Sequence, residues 1–257
     1  MIMVRSIGKG VLSFGMVSIP VKLYATCNPA TRVGFNQLDP QGRRLRQQYV
    51  DPDGNVIERN RMLKGYEFSK DRFVTFTQDE IKALAETSSP NMDIKEFVLA
   101  SQVPSVFIEK SYYLVPDNGG TRAYSLFAKA LKETDRVGLA KWCCRGKTNL
   151  VMIAAHGDGL ALHQLFYADE VVTFDEVHVV PETVNDAELQ MAKMLIEQIS
   201  KPKFEPTNFI DDVKARIERA IDAKINGQSI KLPKEEQFRE CAMDLLAALE
   251  ASLKAAA

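Results

Sequence analysis

The sequence predicts a mainly β protein, a barrel or sandwich, followed by a C-terminal helical arm. Between residues 11 and 167, short segments alternate apolar and polar side chains, which is the period of a half-buried strand. Turn residues such as those at 156–159 separate these segments. Beyond Pro181 the apolar residues recur at helical spacing instead. A chain of 257 residues with 46% hydrophobic residues can bury a substantial core.

The β region begins with residues 11–26, which we interpret as one strand because Val17, Ile19 and Val21 alternate with polar neighbours. A capping box from Thr77 to Glu80 predicts a short helix, and an apolar face predicts a second helix over 121–134. Many strands with few helices favour a barrel or a sandwich. The further predicted strands are 71–77, 94–99, 105–115, 136–145, 148–155 and 160–167.

Residues 36–64 form a polar stretch with two similar turns, at 39–42 and 51–54. Each has Asp, Pro and Gly at positions typical of β-turns. Arginines flank both turns, and apolar residues are few. The stretch is therefore predicted to form extended hairpins with little core of their own.

The C-terminal region is predicted to be helical. Asn185 and Glu188 form a capping box that begins a helix over 186–200. A second helix over 208–225 ends at Asn226 and Gly227. A linker with Pro233 precedes a final helix over 234–254, which either packs on the arm or docks in a partner's groove. We divide the chain into a core (1–180, with hairpins 36–64), an arm (181–227) and a linker with a docking helix (228–257).

Charge is balanced overall but segregated along the chain. The net charge is −1, whereas a nucleic-acid-binding domain is usually strongly basic. Residues 43–48, 59–64 and 136–147 nevertheless contain basic side chains and no acid, and residues 169–188 contain acids and no Lys or Arg. These segments are either ordinary solvated faces or parts of one basic surface balanced by an acidic one.

No enzyme motif is present. The three histidines and four cysteines have no metal-ligand spacing, and the chain lacks GxSxG, HExxH and P-loop patterns. We expect no catalytic residue, no metal, no cofactor and no membrane span. The first residues do not resemble a signal peptide, so we expect a cytoplasmic protein. A small-molecule enzyme that uses Cys143 and His156 is kept as an alternative.

The arginines of the hairpins are the better functional candidates. A guanidinium stays charged and can bind two phosphate oxygens at once. Tyr49 is the only aromatic residue between residues 36 and 65, so a stacking platform for single strands is missing there. The pattern favours contact with the backbone of duplex nucleic acid.

Five stretches, in this order along the chain, resemble the bacterial Ku family. Each motif is short, but together they extend over nearly the whole chain. They are residues 5–24 (RSIGKGVLSFGMVSIPVKLY), 64–67 (KGYE), 112–116 (YYLVP), 145–147 (RGK) and 167–171 (YADEV).

The resemblance implies a Ku-type β-barrel core with an extended bridge and a helical arm. Two copies would close a basic ring around the end of double-stranded DNA, associate with the nucleoid and recruit a DNA ligase D-type enzyme for non-homologous end joining. Residues 36–64 match the bridge. Many relatives carry cysteine pairs at the bridge turns where this chain has Asp39–Gly42 and Asp51–Gly54, so no zinc is expected. The predicted DNA-binding residues are Arg32, Arg43, Arg44, Arg46, Arg59, Arg61, Lys64, Arg145 and Lys147.

The main alternative is a β-barrel module that binds nucleic acid internally or as single strands, without end specificity. A closed ring admits DNA only through an end, so linear and closed circular duplex distinguish the two functions.

Overall fold

A computed structural model describes residues 5–28, 31–84, 89–144, 146–177, 180, 182–229 and 245–256. It divides into two compact units. The barrel unit comprises residues 1–29 and 36–173, and the helical unit comprises residues 30–35 and 174–257.

The strands of the described residues are β1 (Gly8–Phe14), β2 (Val17–Ala25), β3 (Tyr49–Val50), β4 (Val56–Ile57), β5 (Lys64–Ser69), β6 (Arg72–Phe76), β7 (Asn91–Leu99), β8 (Ile108–Pro116), β9 (Arg136–Cys144), β10 (Lys147–His156) and β11 (Gly159–Leu165). The helices are α1 (Gln78–Leu84), α2 (Thr121–Thr134), α3 (Phe174–Val177), α4 (Asp186–Ile199), α5 (Asp212–Ile225) and α6 (Leu245–Ala256).

Seven strands within the described residues close into a barrel in the order β1-β2-β8-β11-β10-β9-β7. The β1–β7 pair is parallel and the other pairs are antiparallel. Every second residue faces the interior, so side chains such as Leu12, Val21, Leu114 and Ile153 form one core. The predicted β-barrel core is confirmed.

One strand prediction is wrong. Residues 11–26 form a hairpin, with β1 and β2 joined at Gly15 and Met16, and Gly15 has a φ of +56°. The positive φ suits glycine, which makes the tight reversal possible. Alternation continues through both strands, so the apolar period alone did not reveal the turn.

Helix α2 closes one end of the barrel. Its residues Tyr124, Phe127, Ala128 and Leu131 are buried in the barrel core. The ring of Phe127 stacks on that of Phe14 with 4.5 Å between centroids. The Tyr124 hydroxyl donates to the Leu114 carbonyl at 2.6 Å and accepts from the Leu160 amide at 2.7 Å. These bonds attach the helix to two strands.

The opposite end of the barrel, which we call the open mouth, is where the bridge is inserted. The chain leaves the barrel after β2 and returns to it at β7. The bridge contains the short β3–β4 ladder, and the β5–β6 hairpin follows it. The strand ends that form the open mouth are Gly8, Ala25, Asn91, Ile108, Cys144, Lys147 and Leu165.

In the helical unit, α4 is capped as predicted, because the Asn185 side chain accepts from the Ala187 amide. Helix α5 begins at Asp212 rather than 208, since residues Pro206–Asn208 form a separate 3-10 turn and the Asp211 side chain caps the helix. Helix α6 packs against α4. The predicted start of the final helix, residues 234–244, lies outside the described residues.

The described part of the chain contains no helix long and apolar enough to cross a membrane.

Candidate nucleic-acid interface

The bridge carries the largest group of predicted DNA-binding residues. Its basic side chains are all exposed to solvent: Arg43, Arg44, Arg46, Arg59, Arg61 and Lys64. The described bridge residues bury no side chain, and the β5–β6 hairpin exposes Tyr66, Phe68 and Phe73 as well. A two-stranded hairpin is only marginally stable alone. This segment is therefore available for contact with a ligand or a second chain.

The two bridge turns have the same geometry. In each, a glycine amide donates to the carbonyl of the first aspartate, from Gly42 to Asp39 at 2.9 Å and from Gly54 to Asp51 at 3.0 Å. Both glycines have φ of at least +80°. The left-handed conformation explains why glycine stands at these positions.

Each aspartate side chain also binds backbone amides within its own turn. Asp39 Oδ1 accepts from the amides of Gln41 and Arg43, and Asp51 Oδ1 accepts from those of Asp53 and Asn55. The hydrogen bond from the Arg43 backbone amide lowers the pKa of Asp39. The hydrogen bond from the Asn55 side chain lowers the pKa of Asp51. The two carboxylates close the turns that hold the basic residues.

The bridge cations differ in their partners. The Arg43 guanidinium donates to Asp39 Oδ2 at 2.6 Å, so part of its charge is used within the turn. Within the described residues, the side chains of Arg44, Arg46, Arg59, Arg61 and Lys64 form no ion pair with a carboxylate. Arg44 and Arg46 stand two residues apart and are the strongest candidates for phosphate contact.

Lys147 lies at the start of β10 and therefore at the open mouth. The bridge leaves and rejoins the barrel at this same end, so the topology brings Lys147 and the bridge to one side of the barrel unit. Arg145 lies outside the described residues. Arg32 is exposed but belongs to the helical unit, where it lines a groove with Val213 and Ile217 of α5.

The sequence-based reasoning missed two cations on the β5–β6 hairpin. Lys70 lies in the turn, and the Arg72 guanidinium lies 4.9 Å from the centroid of the Phe68 ring. Residues 71–77 were predicted as a strand, but the strand that pairs with it, β5, was not predicted. The polar run 69–72 between two alternating segments was the signal for this hairpin.

The enzyme alternative that used Cys143 and His156 is not supported by the geometry. Cys143 pairs with Thr148 near the open mouth, and His156 pairs with Gly159 at the closed end. The eight residue steps along β10 from Thr148 to His156 extend roughly 26 Å at about 3.3 Å per residue. The two side chains are too far apart to act on one substrate.

His163 has a different partner, the hydroxyl of Ser111, at 2.8 Å from Nδ1. Burial, followed by the neighbouring His156, lowers the pKa of His163. A nucleophile pair needs a third group that orients the base. No carboxylate within the described residues binds His163, so this pair is best explained as a satisfied histidine at the barrel surface.

Within the described ranges, no group of three or more His, Cys, Asp or Glu side chains is placed to hold a metal ion. Cys27, Cys143 and Cys144 form no disulfide within the described residues. The aspartates of the bridge turns are occupied by backbone amides.

Comparison with known proteins gives a consistent result. A family model described as Ku70/Ku80 beta-barrel domain matches residues 13–191. A Paraburkholderia phymatum protein named Non-homologous end joining protein Ku is 43% identical, covering 98% of this chain and 84% of the relative. Proteins of the same name from Koribacter versatilis and Archaeoglobus fulgidus are 37% and 34% identical, covering 98% of this chain and 87% and 99% of the relatives.

Proposed function

The chain belongs to the Ku family, and from that premise we propose that it binds the ends of double-stranded DNA without sequence preference, as a ring of two copies. The observation that carries the proposal is the bridge, an exposed segment inserted at the open mouth of a closed barrel. Five of its cations form no ion pair with any carboxylate of the described residues. The relatives are named for non-homologous end joining. The proposed role is DNA repair by that route, with no catalytic step performed by this chain.

Recognition of a broken end requires contacts that do not depend on the bases. Broken ends have no defined sequence, so the protein must contact phosphates and read duplex shape. Guanidinium groups on a surface segment suit that task because they stay charged and bind two oxygens. Asp39 and Asp51 lie in the same segment, but their carboxylates accept hydrogen bonds from backbone amides within their own turns.

A second copy is supported by the helical unit. None of its described residues is buried, and α4 and α5 have no buried side chain. Ile196, Ile199, Phe204 and Ile225 are each more than 60% exposed. Helices of this length need tertiary packing of their apolar face, and exposed apolar patches mark interfaces. Two copies related by a two-fold axis would cover each other's equivalent faces.

A ligase of the D type is the proposed protein partner. Helix α6 is the proposed docking element, because it lies at the end of the helical unit and keeps an exposed face while packing on α4. The ring would hold the end while the ligase supplies the chemistry.

Competition between DNA forms tests the proposal. A labelled blunt duplex is bound at about 0.1 M salt, and unlabelled linear or covalently closed circular DNA of the same sequence is added. We expect the linear form to compete and the circular form to compete far more weakly, because a closed ring cannot be entered without an end. Equal competition by both forms would favour the alternative, a barrel that binds duplex internally. Preferred competition by single strands would contradict both duplex interpretations.

A further inference from the structure

The open mouth of the barrel contains a cavity of about 620 Å³, which is within the usual size range of small-ligand sites. Among the described residues that line it, none is an aspartate or a glutamate. The side chains that matter here are Lys110, Tyr112, Trp142, Lys147, Asn149 and Gln164.

These side chains face the barrel interior because of strand register. Leu114, Ala140, Val151 and Leu162 belong to the buried core. Tyr112, Trp142, Asn149 and Gln164 each stand two residues nearer the mouth on the same strands, and alternate residues share a face. The barrel interior thus changes from aliphatic to aromatic and polar as it approaches the mouth.

Two aromatic rings form the floor of the cavity. The rings of Tyr112 and Trp142 lie edge to face, with 6.4 Å between centroids and 79° between planes. Both side chains pack against the core on one side and remain partly exposed. A planar ligand that entered the mouth would find an aromatic surface to stack on, as nucleobases do on aromatic side chains.

The amide side chains of the cavity are held in one orientation. Asn149 Nδ2 donates to the carbonyls of Trp142 at 3.3 Å and Lys147 at 3.1 Å. Gln164 Nε2 donates to Asn149 Oδ1 at 3.1 Å and to Glu109 Oε2 at 2.7 Å. No hydrogen bond to Gln164 Oε1 is formed by the described residues. That oxygen is an oriented acceptor for an N–H group of a ligand.

Three lysines are among the described residues that line the cavity, and two of them are paired with carboxylates. Lys110 is paired with Glu109, and Lys9 is paired with Asp117. Within the described residues, Lys147 has no carboxylate partner. Lys147 stands at the start of β10 and lines the same cavity as the two aromatic rings and Gln164.

The geometry points to a binding site for a nucleoside phosphate in the open mouth. The base would stack on one of these two nearly perpendicular rings, Trp142 or Tyr112. Its polar edge would donate to Gln164 Oε1, and the phosphate would bind Lys147. This inference rests on the proposed function in one respect: DNA would offer such a ligand as the unpaired terminal nucleotide of an overhang. A free nucleotide has the same chemistry and is the other source.

Trp142 is the only tryptophan in the chain, so the intrinsic fluorescence of the protein reports on the floor of this cavity directly. The full chain is titrated with thymidine monophosphate, with blunt duplex, and with the same duplex carrying a short unpaired overhang. We expect the mononucleotide, the overhang duplex or both to quench the Trp142 fluorescence saturably. The ligand that quenches shows whether the site binds free nucleotides or the unpaired end of DNA. Blunt duplex, which offers no unpaired base, should leave the emission nearly unchanged.

Two variants and one control make the assignment specific. Gln164→Met keeps the side-chain length but removes the acceptor, and Lys147→Ala removes the rim charge from an exposed position. Each variant should lower the affinity for the ligand that quenches the fluorescence by about fivefold or more, which is the effect expected for one lost polar contact. Lys129→Ala is the matched control, because Lys129 lies on α2 at the closed end of the barrel. It should leave the affinity unchanged.

The outcomes separate this inference from the proposed function, because binding of blunt duplex is measured in parallel by gel shift. Retained blunt-end binding without saturable quenching by nucleotide or overhang would overturn the mouth site and leave the proposed function standing. Equal quenching by blunt duplex, or unchanged affinity in both variants, would also overturn it. Loss of blunt-end binding by the unmodified chain would contradict the proposed function instead.

Discussion

At the scale of single residues, Arg44 and Arg46 are expected to be the main phosphate contacts of the bridge. Replacing both with alanine should weaken binding of blunt duplex equally for all sequences. Each lost phosphate contact should reduce the slope of log affinity against log salt by about 0.9. Arg136→Ala is the matched control, because this exposed arginine lies at the closed end of the barrel. An unchanged affinity and salt slope in the double variant would mean that the bridge is not the DNA-binding element.

Tyr124 is the residue that fastens α2 to the barrel. Tyr124→Phe removes a hydroxyl that serves the Leu114 carbonyl and the Leu160 amide. Both groups lie in a dry region, and burial raises the pKa of the tyrosine. Leaving buried polar groups unsatisfied costs about 1–3 kcal/mol, so the free energy of unfolding should fall by about that amount. Urea denaturation measures it, and a loss below about 0.5 kcal/mol would mean that water replaces the hydroxyl.

At the scale of elements, the paired turns of the bridge are expected to depend on Asp39 and Asp51. Asp39→Ala with Asp51→Ala should open both turns without unfolding the barrel, since the bridge contributes no buried side chain. Trypsin should then cleave faster at the arginines of the bridge. Asp53→Ala is the control, because the Asp53 amide donates in its turn while the Asp51 carboxylate is the acceptor.

The same turns have a defined pH response. The pKa values of Asp39 and Asp51 are lowered in the folded chain, so the stabilisation is present above the unfolded value of about 3.9 and is lost as pH falls through the folded value. Protection from proteolysis should therefore be constant between pH 5 and pH 8. A decline within that range would show that other groups hold the bridge closed.

Helix α6 packs on α4 with one face and is proposed to dock a ligase with its exposed face, so the two roles can be tested separately. Its residues Leu249 and Leu253 are partly buried, whereas Ala251 is exposed. Deleting residues 234–257 should leave affinity for blunt duplex largely intact and abolish stimulation of a D-type ligase. Ala251→Arg should reduce that stimulation while the helix stays packed on α4. Full ligase stimulation by the deletion variant would leave α6 with a purely structural role.

At the scale of the whole molecule, the exposed apolar side chains of the helical unit predict a dimer in the absence of DNA. Stable obligate interfaces often bury more than about 2,000 Å². Light scattering at micromolar concentration should give twice the mass of 28.8 kDa. Ile196→Glu with Ile199→Glu should shift the mass toward the monomer, and Lys193→Glu, a charge change at an exposed position of the same helix, is the control. A monomeric mass for the unmodified chain would contradict the ring.

The sequence alone determined the kind of fold and the location of the charge. Period-two alternation indicated the barrel strands, capping residues such as Asn185 located helices, and the Asp and Gly pairs located both bridge turns. These features depend on neighbours within a few residues, so they are visible in a linear pattern.

Only the tertiary structure decided which residues meet. Strand order brings the bridge and Lys147 to one end of the barrel and separates Cys143 from His156. It also places Trp142, Asn149 and Gln164, which come from three strands, around one cavity. No local signal marks these residues, because barrel closure pairs strands that are distant in the chain and the register of each pair sets which side chains face inward.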